Sequence, residues 1–237
     1  MAQNLQMVEA ASRVVGWLPE RVDMQHVAFG NVLGSDKKML KSRSGDSVKL
    51  SALLDEAVER ATLAVREKNP SLSLDEQAEV ARMIGIGAVK YADLSTDRIK
   101  DYVFDWDRML SFDGNTAPYL QYAHARICSI FRRAGIDRAS VRSVEPLLGD
   151  PHERALAMRL LRFDAAVWDA LEGYQPHKLC TYLYDLASDF TSFYEHCPVL
   201  KAADESTRDS RLHLSDITAR VMQQGLDLLG ISAPEQM

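Results

Sequence analysis

Along most of the chain, apolar residues recur at three- and four-residue intervals, the spacing that lines one face of an α-helix. From Gln6 to Trp17 the period is carried by Val8, Ala11, Val14 and Val15 until Gly16 and Pro19 interrupt it. The run "HVAFGNVLG" places Val27, Phe29 and Val32 in strand-type alternation and predicts a short strand. A helix is predicted from Ser51 to Lys68, with Leu54, Val58, Ala61 and Val65 inward and "KNPS" as its stop. Ser73 and Glu76 have capping-box spacing and open the next helix. In "DRIKDYVFDWDRMLSFDGN" the aromatics Tyr102, Phe104 and Trp106 alternate and Phe112 follows, which reads as an extended segment.

A further helix spans Pro118 to Gly135. Asp150 as cap, Pro151 at the first helical position and Glu153 three residues after the cap open another, predicted to reach Leu171. Pro176 to Cys197 carries Leu179, Leu183, Leu186, Phe190 and Phe193 at alternating spacings of four and three, the face of a bundle helix. The last helix starts near Ser206, turns Leu214, Ile217, Val221 and Leu228 inward, and stops at Gly230, where a positive φ is wanted. The fold class is therefore mainly α: a short mixed beginning, then a helical bundle joined by polar turns. No internal repeat or low-complexity linker is visible, and a composition shift near residue 48 marks the boundary candidate.

Composition narrows the function. With 237 residues, 46% hydrophobic and 26% charged, the chain can bury a sizeable core and reads as soluble and globular. A net charge of -6 argues against a general polyanion binder while leaving room for a local basic face. Cys128, Cys180 and Cys197 form no C-x-x-C pair, which argues against a disulfide framework or zinc knuckle and for a reducing, cytoplasmic setting. Cys128 and Cys180 sit among apolar neighbours and read as small core residues. No apolar run approaches the roughly 18 residues of a membrane span, so no membrane partner is expected.

The candidate chemistry starts in "SDKKMLKSRSG", where Lys37, Lys38, Lys41 and Arg43 lie between Gly34 and Gly45. Charge alone makes this a solvated surface loop. Its spacing says more: "KMLKS", Lys38 to Ser42, resembles the KMSKS signature of class I aminoacyl-tRNA synthetases, with Leu40 where that pattern has Ser. Two lysines three apart on a loop suit a reaction that expels pyrophosphate, since their ammonium groups can meet charge building on the leaving phosphates. "FGNVLGSDKKMLKSRSGDSVKL", "DWDRMLSFDGNTAPYLQYAHARICSIFRRAG", "FTSFYEHCPVL" and "GLDLLGISAPEQM" resemble the arginyl-tRNA synthetases, so the likeness runs from about residue 3 to Met237.

The resemblance implies that residues 1–48 are the tail of a Rossmann-type catalytic domain with its KMSKS-type loop, and residues 49–237 an all-helical anticodon-binding domain. It implies ligation of arginine to its tRNA with ATP and Mg2+. Lys38, Lys41 and Ser42 would act in the chemistry, and Lys38, Met39 and Lys41 on the ATP side. Tyr119, Tyr122, His124, Arg126, Tyr194 and Met237 would contact tRNA, whose unpaired bases are read by stacking and edge hydrogen bonds. Against each tyrosine stands a core role with the hydroxyl at the rim. Arg132 and Arg133 read first as complements to a helix dipole.

Class I catalysis also uses an H-x-G-H signature, and none of the six histidines is so spaced. The chain thus reads as the C-terminal part of a synthetase, inactive in arginine activation by itself. It is expected to be a monomer that binds arginine tRNA, meets arginine and ATP only with an N-terminal half, and holds no metal. The alternatives are a stand-alone tRNA-binding or helical scaffold protein without catalysis, and a helical interaction protein with no RNA contact. "DEQAEVAR" reads as a solvated helix face, and Asp105 and Asp107 are not taken as an acid/base pair.

Overall fold

The computed structural model describes residues 2–34, 36–38 and 49–237. In chain order its elements are α1 (Ala2–Val14), β1 (Val32–Leu33), α2 (Leu50–Lys68), α3 (Leu74–Leu94), β2 (Tyr102–Val103), α4 (Trp106–Met109), α5 (Ala117–Ala134), α6 (Pro151–Leu160), α7 (Phe163–Glu172), α8 (Pro176–His196) and α9 (Glu205–Leu228), with one 3-10 turn at Arg138–Val141. Most predicted helices appear within a few residues of their expected limits, because their caps set them. Ser73 Oγ accepts from the Glu76 amide at 3.3 Å while the Glu76 carboxylate accepts from the Ser73 amide at 2.8 Å. Asp150 and Glu153 form the second capping box, and Gly135 ends α5 in the left-handed conformation.

α2 and α3 form a close hairpin around Ala61, Val65, Val80, Ala81 and Ile84. Gly85 permits the approach, for a Cβ there would lie 2.7 Å from the Ala57 carbonyl. "DEQAEVAR" is thus only half solvated: Gln77, Val80 and Ala81 are buried. The larger core lies among α5, α8 and α9, with the expected α8 residues Leu179, Leu183, Leu186, Phe190 and Phe193 all buried, as are Cys128 and Cys180.

β1 and β2 pair in parallel, Val32 opposite Tyr102 and Leu33 opposite Val103. This is all that forms of the strand expected over residues 26–34. The segment is held instead by irregular contacts: Asn31 N–H and its side-chain amide both donate to Asp101, at 2.6 and 3.0 Å, and Gly30 lies too close to the Lys100 backbone to carry a Cβ. The extended reading of residues 102–112 holds only at β2, since Asp105 caps the short helix α4.

Two further expectations are corrected. The helix from Pro151 breaks at Leu161 and Arg162 into α6 and α7. The Arg159 carbonyl, which a continuous helix would offer to Phe163, accepts from the Arg162 amide and from the Tyr182 hydroxyl of α8, each at 3.0 Å. Leu228 is 56% exposed while Leu226 and Leu229 are buried, because the inward stripe of α9 passes through Met222 and Leu226. At the helix's middle, fully buried Asp216 gathers Arg138, Arg142 and Arg220 at 2.9, 3.4 and 2.9 Å.

Candidate nucleic-acid interface

The first turn of α5 is set by Thr116, whose hydroxyl donates to Ser111 O at 2.6 Å and accepts from the Tyr119 amide at 3.2 Å, with Pro118 following in the first turn. From that start, Tyr119, Tyr122 and Arg126 fall at i, i+3 and i+7 and share one face. The face is partly open. Tyr122 is 46% exposed, and Tyr119 is half-buried, its ring 5.7 Å from that of Tyr184 on α8.

Arg126 extends across to α8, where its guanidinium sits 4.5 Å from the Tyr194 ring centroid. Tyr194 is in turn braced by Phe190 at 6.1 Å. The two helices thus present a surface of half-exposed aromatic rings crossed by a guanidinium, held from below by core residues. Such a surface offers π-faces for base stacking and a cation for phosphate or ring contact. Exposed Arg133 lies seven residues beyond Arg126, on the same side of α5. Tyr184 was not singled out from the sequence: ten residues from Tyr194 leave the two side chains roughly 80° apart around α8, and its place beside Tyr119 comes from helix packing.

His124 does not belong to this surface. It is 0% exposed, and its Nδ1 pairs with the Pro234 carbonyl at 3.0 Å, so that nitrogen carries the proton. Two residues from Tyr122, it points roughly 200° away around the helix. Burial lowers its pKa from 6.5 and keeps the ring neutral. Met237 is half-buried and packs beside the α2–α3 cluster. Arg132 uses its Nη1 on the Glu235 carbonyl at 2.7 Å, so it holds the chain end in addition to lying in the last turn of α5.

Lys38 is solvent-facing, with 81% of its side chain exposed and its Nζ 3.8 Å from the Asp36 carboxylate. The Gly34 amide donates to the Lys38 carbonyl at 2.8 Å, closing a tight turn ahead of it. Met39, Lys41 and Ser42 lie outside the described residues.

Among the described residues, Asp150, His152 and Cys197 bring ligand-type atoms within 4.8 Å of one another. Those groups satisfy each other: Asp150 accepts from the His152 amide and ring Nδ1, both at 2.8 Å, and from the Cys197 thiol. Burial, with Asp150 beside it, pushes that thiol up to about 11. The trio pins the start of α6 to the end of α8. A separate cavity of about 300 Å³ opens between α3, β2 and the start of α5, lined by Tyr91, Asp101, Arg108 and Asn115 among others. Its lining includes none of the residues assigned above to catalysis, ATP or tRNA. No helix among the described residues is long and apolar enough to cross a membrane.

Comparison with known proteins agrees with the arrangement. Residues 1–106 match the catalytic-domain family of class I (R) tRNA synthetases, and residues 120–237 match the DALR anticodon binding domain. The two matches define a segment of a class I aminoacyl-tRNA synthetase that runs from catalytic domain into anticodon-binding domain.

Arginine–tRNA ligases from Erwinia tasmaniensis and Proteus mirabilis are 51% and 49% identical over 99% of this chain. The arginyl-tRNA synthetase of Thermus thermophilus superimposes with a TM-score of 0.79 at 40% identity over 90% of this chain and 35% of its own. That of Plasmodium falciparum gives 0.81 at 30% identity, covering 99% of this chain and 40% of its own. The chain belongs to the arginyl-tRNA synthetase family and corresponds to its C-terminal part. It spans 41% of the length of the curated relatives it matches.

Proposed function

We propose that this chain serves as the tRNA-gripping part of an arginine–tRNA ligase, binding the anticodon region of arginine tRNA on the α5–α8 face. The reading is carried by one observation: Tyr119, Tyr122, Arg126 and Tyr194 form a half-exposed surface of rings and guanidinium on the DALR domain. Unpaired bases stack on the open rings, and Arg126 and Arg133 meet neighbouring phosphates. Met237, beside the α2–α3 cluster, is assigned a further apolar contact. This face belongs to a helical domain taken to span residues 49–237, with residues 1–48 completing the catalytic side.

On that catalytic side, the parent enzyme joins arginine to tRNA with ATP as co-substrate and Mg2+ as its counter-ion. An exposed ammonium such as that of Lys38, loosely paired with Asp36, suits neutralising a phosphate leaving group. Lys41 is assigned the same role, Ser42 shapes the loop and Met39 lies against the nucleotide. Such an enzyme works in the cytoplasm as a monomer.

The test is affinity for arginine tRNA as a function of salt. Binding should weaken steadily as salt rises. Tyr122→Ala should cost about tenfold or more, the value of one lost base–aromatic stack of roughly 1–3 kcal/mol, with helicity unchanged. Equal affinity of the variant and the parent chain would remove the α5–α8 face from the account.

A further inference from the structure

The residues after α9 have no regular secondary structure, and a chain end of that kind ordinarily frays. Here its carbonyls are taken one after another by side chains from two helices. Lys90 donates to Gly230, Gln121 to Ser232 at 2.8 Å, the His124 ring to Pro234 at 3.0 Å and Arg132 to Glu235 at 2.7 Å. The Gln121 amide also donates to the Met83 carbonyl at 3.1 Å, so one fully buried side chain ties together α3, α5 and the chain end.

Gly87 makes room for this junction. A Cβ there would stand 3.0 Å from Gln121 Nε2 and 3.1 Å from Ile231 Cγ2. The apolar contacts follow the same path: Leu229 and Ile231 belong to the main core, and Met237 packs against the α2–α3 cluster. The segment therefore joins both hydrophobic clusters. It also joins the two family segments, since α3 lies within the catalytic-domain match and α5 and the chain end within the anticodon-domain match.

We propose that residues 229–237 form a clasp between those two segments, with Gln121 and His124 as positioning residues that set its register and thereby hold Met237, assigned above as an RNA contact, against the α2–α3 cluster. The clasp rests on geometry alone; its consequence for RNA rests on the reading proposed above. Neither side chain touches RNA. Each acts through the carbonyl it holds.

The test is amide hydrogen exchange of the chain with Gln121→Met, His124→Leu and His124→Gln, read beside its affinity for arginine tRNA. Gln121→Met and His124→Leu remove a donor with little change in volume. Each should speed exchange of the Leu229, Gly230 and Ile231 amides, the hydrogen-bonded ones of this segment, by about tenfold, the factor expected when one hydrogen bond to a buried carbonyl is lost. In Gln121→Met the faster exchange should reach α3 around Met83, and tRNA affinity should fall several-fold. His124→Gln retains an N–H donor and should recover most of the protection.

Unchanged exchange in both Gln121→Met and His124→Leu overturns the clasp. Should Gln121→Met prove unable to fold, the His124 pair decides the matter alone. If exchange accelerates and affinity holds while Tyr122→Ala still weakens binding, the positioning role falls and the RNA reading stands. If Tyr122→Ala also leaves affinity unchanged, the RNA reading has failed, and the exchange result by itself decides the clasp.

Discussion

His124 shows how a side chain can be recruited away from the role its neighbours suggest. It lies two positions from Tyr122 in a segment that resembles a tRNA contact, yet one hundred degrees per residue carries it roughly 200° from that ring, into the groove filled by the chain end. Its pKa is lowered from 6.5 by burial, opposed by the Pro234 carbonyl and by the charges of Glu235 and Asp227 and reinforced by Arg138. The unfolded chain therefore takes up a proton more readily than the folded one. The stability contributed by the neutral ring is present above its ordinary pKa and is lost as pH falls through and below 6.5. Thermal melts should show a midpoint that drops between about pH 7.5 and pH 5.5, with a smaller drop in His124→Gln, which donates the same hydrogen bond and does not titrate. A His124→Gln chain with the parent's pH dependence would show that the ring is not the titrating group.

Asp216 makes the opposite case, a charge that is buried because it is shared. Arg138, Arg142 and Arg220 all approach it through Nε. Asp216→Ala leaves three like charges facing one another without their anion, and should cost about 3 kcal/mol in denaturant unfolding, the low end for a broken buried pair because Arg142 and Arg220 are half exposed. A loss below about 0.5 kcal/mol would mean the arginines find solvent at no cost.

At the scale of elements, the helices were legible wherever local chemistry set their ends. Ser73 with Glu76, Asp150 with Glu153, Gly135 and Gly230 each act within a few residues, so the chain declares them in order. The break between α6 and α7 was not legible, because its cause is the Tyr182 hydroxyl, delivered by a helix twenty residues later in the sequence. The same distinction divides the interface. Tyr119, Tyr122 and Arg126 share a face by spacing alone, but the partnership of Arg126 with Tyr194 and the capture of the chain end by Gln121 depend on which helices pack together. The α2–α3 contact depends on one such meeting. Gly85→Ala places a methyl 2.7 Å from the Ala57 backbone, which cannot move aside as a flexible side chain would. It should destabilise the chain by ~1–3 kcal/mol despite the better helix propensity of alanine, and a Gly85→Ala chain that melts at or above the parent's temperature would mean the hairpin has slack.

The molecule as a whole is acidic, with a net charge of -6, so the proposed binding of a polyanion requires a local arrangement and not bulk attraction. On the proposed reading the α5–α8 face is that arrangement: cations few in number, placed beside rings whose π-faces are suited to unpaired bases. Such a surface favours a loop over a duplex, since stacked and paired bases offer no free face. Gln121, by donating to both Met83 and Ser232, gives the two family segments a shared contact.

The central claim is therefore that this face meets unpaired anticodon-loop bases, and the most direct measurement is 2′-hydroxyl acylation footprinting of arginine tRNA with and without the chain. The account predicts protection concentrated in the anticodon loop and lost with Tyr122→Ala. Protection confined to the paired stems, or a loop footprint that survives Tyr122→Ala unchanged, would contradict it.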